Sequence, residues 1–289
     1  MRTQCLNIAS FLGLTLVPIF ARAQSVNGTL ISFIPVSDGM VFAADSRVTV
    51  PGVGYCDGLD KIHPLGKRPF SLFAISGVDT YRSGAKTKEA CAFTKSGTIQ
   101  VDFREIARNY LESQKGPITP EKLKELENVL RTNAQKLARV HPDVMDEDGN
   151  VLGFAYGEYN PQQKTISYAA FKVGTGKTMA GSLFFTTIQP DQPLYPQLQT
   201  MGKTECFAEA LKGRQRLGPN AFEMLLNEIA KRSPTVGQTT HQDALDLAND
   251  TIGWTAKYSE LHPELKCRIG GPIKVFLIDE RHPHGFRLQ

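Results

Sequence analysis

The sequence lacks the short patterns of several common catalytic and metal-binding sites. None of its five cysteines forms a C-x-x-C pair, and neither H-E-x-x-H nor G-x-S-x-G occurs in its 289 residues. Gly174–Thr178 approaches a phosphate-binding loop, but Phe171 stands where that motif requires its first glycine. His282 and His284 offer two imidazoles close together in the sequence, but no third metal ligand accompanies them. We therefore expect no cofactor and no metal.

The chain also lacks a large excess of charge of one sign. Lys and Arg total 33 against 29 Asp and Glu, a formal net charge of +4. Arg2 and Arg22 lie in the apparent leader described next, so the rest of the chain is closer to neutral. Such a balance argues against a nucleic-acid partner. With 41% hydrophobic residues, the length suits one large domain with its own core.

A long apolar run occurs only at the start of the chain. Arg2, the run from Ile8 to Phe20 and the small-residue motif Ala21-Arg22-Ala23 have the order of a cleavable signal peptide. A membrane anchor is the alternative, but the run is shorter than the ~20 residues a spanning helix needs, and Pro18 interrupts it. We expect cleavage after Ala23, a secreted or periplasmic protein, and no membrane association once the leader is removed.

Four cysteines remain after the leader, namely Cys56, Cys91, Cys206 and Cys267. An even number in an oxidising compartment is typical of disulfides, and four cysteines allow three pairings. Buried free thiols are the alternative.

The order of hydrophobic patterns predicts an α+β fold. Extended segments cover most of residues 29–75, and Ser76-Gly77 ends the last of them. A helical pattern begins at Tyr81 and includes two amphipathic helices, over 103–111 and 119–137. Strands follow at 151–159, 165–173 and 183–188, then helices at 205–212, 221–230 and 241–255, and a last strand at 273–278. This order is compatible with two sheets between helical layers.

The most informative stretch is the first predicted hairpin. Its strands, from Thr29 to Val36 and from Met40 to Ala44, flank a turn containing Asp38-Gly39, and the second strand delivers Asp45. Thr29, Asp45 and Lys61 are separated by equal intervals of 16 residues. A hydroxyl, an acid and a base are thereby spaced as if each stood at the end of one strand, as in N-terminal nucleophile (Ntn) hydrolases.

The segment from Gly28 to Gly77 resembles a proteasome β-type subunit of the Ntn-hydrolase family. The matching motifs are Gly28-Thr29, the turn and strand to Arg47, Asp60-Lys61-Ile62 and Ala74-Ile75-Ser76-Gly77. The resemblance implies a four-layer αββα sandwich over about residues 29–280. It also implies a threonine-type hydrolase of peptide or other amide bonds, assembled as a homo-oligomeric ring.

The resemblance assigns Thr29, Asp45, Lys61 and Gly77 to the active site. Cleavage of Gly28–Thr29 would free an amine with an ordinary pKa of about 7.7–8.0, suited to act as general base for the Thr29 hydroxyl. Lys61 would stabilise the alkoxide-like form, Asp45 would hold that lysine, and the Gly77 N–H would bind the oxyanion. Arg47 would lie on the same strand face as Asp45 and pair with it.

Three features of the sequence depart from the family pattern. Cleavage after Ala23 leaves residues 24–28 as a very short propeptide, and a cut one residue later would make Ser25 terminal as an alternative nucleophile, without the 16-residue spacing to Asp45. Lys203 stands where the family usually has a serine, and residues 267–271 supply neither the usual Asp nor the usual Ser. A catalytically inactive subunit with a structural or binding role is therefore the alternative function.

Overall fold

A computed structural model describes residues 29–50, 54–83, 90–93, 97–146, 148–175, 183–194, 197–216 and 221–288. The predicted leader, the short propeptide and Ser25 lie outside these ranges, as do residues 176–178 of the segment that approaches a phosphate-binding loop.

Fourteen strands and seven α-helices are present in the described part of the chain. The strands are β1 Leu30–Val36, β2 Gly39–Ala44, β3 Val48–Val50, β4 Gly54–Cys56, β5 Ile62–Pro64, β6 Ser71–Gly77, β7 Thr80–Ser83, β8 Thr98–Asp102, β9 Asn150–Asn160, β10 Thr165–Gly174, β11 Phe184–Ile188, β12 Gln199–Gly202, β13 Lys274–Asp279 and β14 Phe286–Arg287. The helices are α1 Ala90–Phe93, α2 Phe103–Ser113, α3 Pro120–Val140, α4 Thr204–Arg216, α5 Ala221–Arg232, α6 His241–Ala248 and α7 Trp254–Leu261.

Two five-stranded antiparallel sheets form the centre of the fold. The first has the strand order β12-β1-β2-β13-β14, and the second has the order β11-β10-β9-β6-β5. Every residue of β1 and of β2 is buried. Strands that are covered on both faces are near-continuous apolar runs rather than alternating ones, and the sequence of this hairpin has that form.

The two sheets pack face to face through one apolar cluster. Phe33 and Phe42 of the first sheet meet Leu72 and Tyr168 of the second, and all four are buried. The rings of Phe33 and Tyr168 stack with their centroids 4.4 Å apart. Interdigitation of large side chains from both inner faces is the usual packing of stacked sheets.

Helices cover the outer face of each sheet. Leu123, Leu126 and Leu130 of α3 lie in one buried cluster with Phe154 and Phe171 of the second sheet. On the first sheet, Leu30 and Val41 share a cluster with Ala244 and Leu247 of α6. The layers are therefore helix, sheet, sheet and helix, which confirms the predicted α+β, four-layer αββα class.

Local signals placed the longest helix correctly. The Thr119 hydroxyl accepts a hydrogen bond from the Lys122 N–H, and Pro120 occupies the first turn. Proline is well tolerated there because its missing N–H would have no partner within the helix. The predicted stripe of leucines faces the second sheet.

Three predictions of secondary structure were wrong. Residues 80–83 and 98–102 form a small antiparallel hairpin, where a helical pattern was expected from Tyr81 onward. The β-branched Thr98, Ile99 and Val101 favour the extended form. The single helix predicted over 241–255 is divided by a π-helical turn, Asn249–Gly253, and the short strands β3, β4, β12 and β14 were not predicted.

Both cysteine pairs form disulfides, Cys56–Cys91 and Cys206–Cys267. The second joins α4 to the loop before β13. Among the described residues, no helix combines the length and apolar character that a bilayer-spanning segment requires.

Candidate active site

Thr29 immediately precedes β1 and is held by the neighbouring edge strand. Its carbonyl oxygen accepts a hydrogen bond of 2.8 Å from the Lys203 N–H, and the next residue, Leu30, pairs with Gly202 of β12. Gly202 has φ +97°, and a Cβ at that position would collide with the Thr29 carbonyl. A glycine is required there for β12 to approach Thr29 so closely.

The Thr29 side chain is buried, and its hydroxyl has no hydrogen-bond partner among the described residues. An unpaired buried hydroxyl carries a desolvation cost, so a native example calls for a functional explanation. Until the Gly28–Thr29 bond is cut, the Thr29 nitrogen is an amide and cannot act as a base.

Asp45 and Lys61 form a buried ion pair close to the start of β1. Lys61 Nζ lies 3.1 Å from Asp45 Oδ1, and the two side chains are 4% and 0% exposed. Asp45 Oδ1 also accepts a hydrogen bond of 2.9 Å from the Leu30 N–H, and Asp45 Oδ2 accepts one from the Gly270 N–H. This network connects the lysine to the residue that follows Thr29.

Burial acts on both members of the pair. It raises the pKa of Asp45, against the lowering effects of the Lys61 charge and the Leu30 N–H. It lowers the pKa of Lys61, against the raising effect of the Asp45 carboxylate. The two groups share a desolvated environment and depend on each other for charge compensation.

The prediction that Arg47 pairs with Asp45 was wrong. Strand β2 ends at Ala44, so the alternation that would place residues 45 and 47 on one face does not continue. The Arg47 guanidinium instead binds Asp57, with Nε 2.9 Å from Oδ1. The Arg47 backbone carbonyl oxygen accepts a hydrogen bond of 2.7 Å from Lys61 Nζ, so Arg47 contributes its backbone to the surroundings of the lysine.

Gly77 ends β6 on the opposite sheet and lines the same pocket as Thr29. Its φ of +84° lies in the left-handed region, and a Cβ would come within 2.6 Å of the Val151 carbonyl oxygen. The position therefore requires glycine. The role of its N–H as an oxyanion donor stays a prediction.

The pocket itself has a volume of about 60 Å³ and lies between the two sheets, with Met201 and Gly202 of β12 on one side and the end of β6 on the other. Besides Thr29 and Gly77, it is lined by Ser76, by Asp146 and Asp148 of the turn before β9, by Asn150 at the start of that strand, and by Lys203. Neither this turn nor Ser76 was given a role from the sequence. The available signal for Ser76 was its position directly before Gly77, at the end of a predicted strand.

The arrangement brings the four predicted residues to one region in two groups. Asp45 and Lys61 are in direct contact, as predicted, and Thr29 and Gly77 line one pocket. The groups are joined through the Leu30 backbone, without a hydrogen bond from Lys61 to the Thr29 hydroxyl. The region therefore combines an uncommitted hydroxyl with a fixed, buried cation nearby.

Comparison with known proteins gives a likeness in structure only. No family model and no curated protein matches the chain. A solved structure of the Anbu complex from Pseudomonas aeruginosa, a helical assembly, is 16% identical, with 90% of this chain and 86% of that one covered and a TM-score of 0.47. An Anbu Gly-1 mutant from Hyphomicrobium sp. strain MC1 is 10% identical (91% and 87% covered, TM-score 0.46). Anbu from Yersinia bercovieri, described as an ancestral beta-subunit, is 13% identical (90% and 87%, TM-score 0.45).

These findings correct the family identification made from the sequence. The chain was identified as similar to proteasome β-type subunits, but no family model supports that membership, and the similar structures named above are Anbu proteins of low identity. The motifs behind the identification cover only residues 28–77, too short a stretch to define a family.

Proposed function

We propose that this chain is an exported N-terminal nucleophile hydrolase that cleaves peptide or other amide bonds through Thr29. The observation that carries the proposal is the Asp45–Lys61 pair, buried close to a threonine that lines a pocket and whose hydroxyl has no partner among the described residues. Buried ion pairs contribute little net stability, so the retention of one next to an uncommitted hydroxyl favours a catalytic role.

In the proposed mechanism, cleavage of the Gly28–Thr29 bond generates the general base. The new Thr29 amine takes the hydroxyl proton as the oxygen attacks the substrate carbonyl, and it later returns a proton to the leaving amine. Water then hydrolyses the acyl-enzyme ester. Lys61, held by Asp45, lowers the cost of negative charge at the Thr29 oxygen, and the Gly77 N–H is the proposed donor to the oxyanion.

Export is part of the proposal. It is supported by the signal-like residues 1–23 and by two disulfides, which persist in oxidising compartments. The sequence resemblance also predicts self-association, in the form of a ring. Sedimentation velocity of the mature chain would measure the size of the assembly. The Anbu protein of Pseudomonas aeruginosa is itself described as a helical assembly.

The decisive experiment is to export the full chain from a bacterial host and determine its mature N-terminus by intact mass. A chain that begins at Thr29 and hydrolyses a panel of fluorogenic peptide amides supports the proposal. Thr29→Ala should reduce hydrolysis to the uncatalysed background, because it removes the attacking oxygen.

Thr80→Ala is the matched control. Thr80 is also buried, and its hydroxyl likewise has no partner among the described residues, but it lies on β7 and does not line the pocket. This variant should keep wild-type hydrolysis. Hydrolysis retained by Thr29→Ala would rule out this nucleophile. A mature chain that begins at Gln24 or Ser25 and hydrolyses nothing would favour the inactive, structural alternative.

A further inference from the structure

A second cluster of polar side chains lies away from the pocket, where the first hairpin turn meets the start of α6. His241 Nε2 lies 2.8 Å from Asp38 Oδ1 and 3.9 Å from Asp279 Oδ2. One ligand atom from each residue lies within 4.8 Å of the other two. Asp38, His241 and Asp279 are distant in sequence, so only the folded chain brings them together.

The backbone fixes the three residues independently of their side chains. Gly39 of β2 pairs with Asp279 of β13, which places the turn residue Asp38 beside the end of that strand. A hydrogen bond of 2.9 Å from the Ser37 N–H to the Thr239 carbonyl oxygen holds the same turn against the segment that leads into α6. His241 is the first residue of that helix. The geometry is therefore a property of the fold.

Asp279 has one oxygen that protein groups leave uncommitted. Its side chain is completely buried, and Oδ1 accepts hydrogen bonds from the Arg281 N–H, the His282 N–H and His282 Nδ1. Oδ2 accepts none and faces His241. Its other charged neighbour, the Arg281 guanidinium at 3.6 Å, belongs to a side chain that is 72% exposed. A buried carboxylate oxygen without a donor calls for a ligand.

We propose that Asp38, His241 and Asp279 bind a Zn²⁺ ion. Tetrahedral zinc with bonds of about 2.0–2.1 Å sets its ligand atoms roughly 3.3 Å apart, between the 2.8 Å and 3.9 Å observed from His241 Nε2. Modest rotation of Asp38 and His241, which are 41% and 25% exposed, closes the difference. Water completes the coordination from the open side.

The donor set favours zinc over the hard cations. Ca²⁺ and Mg²⁺ prefer oxygen ligands alone, whereas an imidazole nitrogen with carboxylates suits Zn²⁺. His282 orients the Asp279 carboxylate from behind, as outer-shell groups do in zinc sites. Because the ligands come from the hairpin turn, α6 and the end of β13, the ion would fasten the outer helical layer to the first sheet.

The test uses the exported, tag-free full chain, stripped with a chelator and titrated with Zn²⁺ against a chromophoric competitor. The wild type should bind one Zn²⁺, and Zn²⁺ should raise its melting temperature by mass action. His241→Ala and Asp38→Asn should each weaken binding by about 10- to 100-fold or more and abolish the thermal shift. Co²⁺ in place of Zn²⁺ should give a visible absorption band in the wild type only.

His262→Ala is the control, because His262 forms a similar pair with Glu264, Nδ1 to Oε1 at 2.9 Å, without belonging to the cluster. It should bind Zn²⁺ as the wild type does. A wild type that takes up no Zn²⁺, or binding that survives His241→Ala and Asp38→Asn, overturns the proposal. So does equal weakening by His262→Ala, which would indicate adventitious binding. Asp38→Asn changes a half-exposed side chain, so its result stands even if His241→Ala fails to fold.

Discussion

Asp45 accepts hydrogen bonds from Lys61 Nζ and from the Leu30 N–H with the same carboxylate oxygen, at 3.1 Å and 2.9 Å. The lysine is thereby fixed relative to the start of β1, one residue after Thr29. Any shift of the pair would be transmitted to the backbone at Thr29, so the stability and the proposed chemistry of this region depend on the same contacts.

The pair provides a sharp stability test. Lys61→Met leaves the Asp45 carboxylate buried without its counter-ion, which should lower the free energy of unfolding by about 3–5 kcal/mol in urea denaturation. Lys212→Met is the control, because it removes the cation of the exposed Glu209–Lys212 pair and should cost less than about 1 kcal/mol. Equal losses in both variants would contradict the account.

A double variant separates stability from activity at this pair. Asp45→Asn added to Lys61→Met removes the uncompensated charge and should recover part of the lost stability. It should stay inactive toward amide substrates, since the cation beside Thr29 is still missing. Recovery of hydrolysis together with stability would show that Lys61 has only a structural role.

Gly77 should tolerate a side chain less well than another left-handed glycine. Gly77 and Gly116 have φ of +84° and +67°, but only at Gly77 would a Cβ meet other atoms within 4 Å. Gly116→Ala should lower the free energy of unfolding by about 1–2 kcal/mol because of the backbone conformation. Gly77→Ala should lower it by that amount and by about 1–3 kcal/mol more, because the added Cβ would contact the Val151 carbonyl oxygen. Urea denaturation measures both, and equal costs would refute the difference.

His63 should make the fold sensitive to acid. Burial, followed by the charges of Arg104 and Arg108, lowers the pKa of His63 from 6.5 to about 3. Between these values the unfolded chain binds the extra proton and the folded chain does not. The free energy of unfolding therefore rises with pH between about 3 and 6.5. As pH falls below 6.5, this residue alone lowers it by about 1.4 kcal/mol per pH unit.

The His63 contribution is isolated by difference. His63→Gln cannot take up the proton, so its unfolding free energy, measured from pH 6.5 to 4, should fall less steeply than that of the wild type. His262→Gln, at a more exposed imidazole, should follow the wild type. A parallel pH dependence in wild type and His63→Gln would disprove the assignment.

Much of the architecture was available from local sequence patterns. The hairpin of β1 and β2, the capped helix α3, and the succession of strands and helices each depend on residues close together in the chain, where periodicity and turn residues act directly. The equal spacing of 16 residues also predicted that Asp45 and Lys61 lie close together. The family identification failed because motifs from a sixth of the chain were extended to the whole.

The sequence by itself determined most of the strand and helix order, and hence the four-layer class, because the apolar pattern of each element sets which of its faces are buried. Only the tertiary structure decided that Arg47 binds Asp57, that Cys56 pairs with Cys91, and that Asp38 meets His241 and Asp279. These contacts depend on how the sheets and helices pack, and packing joins residues that no local pattern relates.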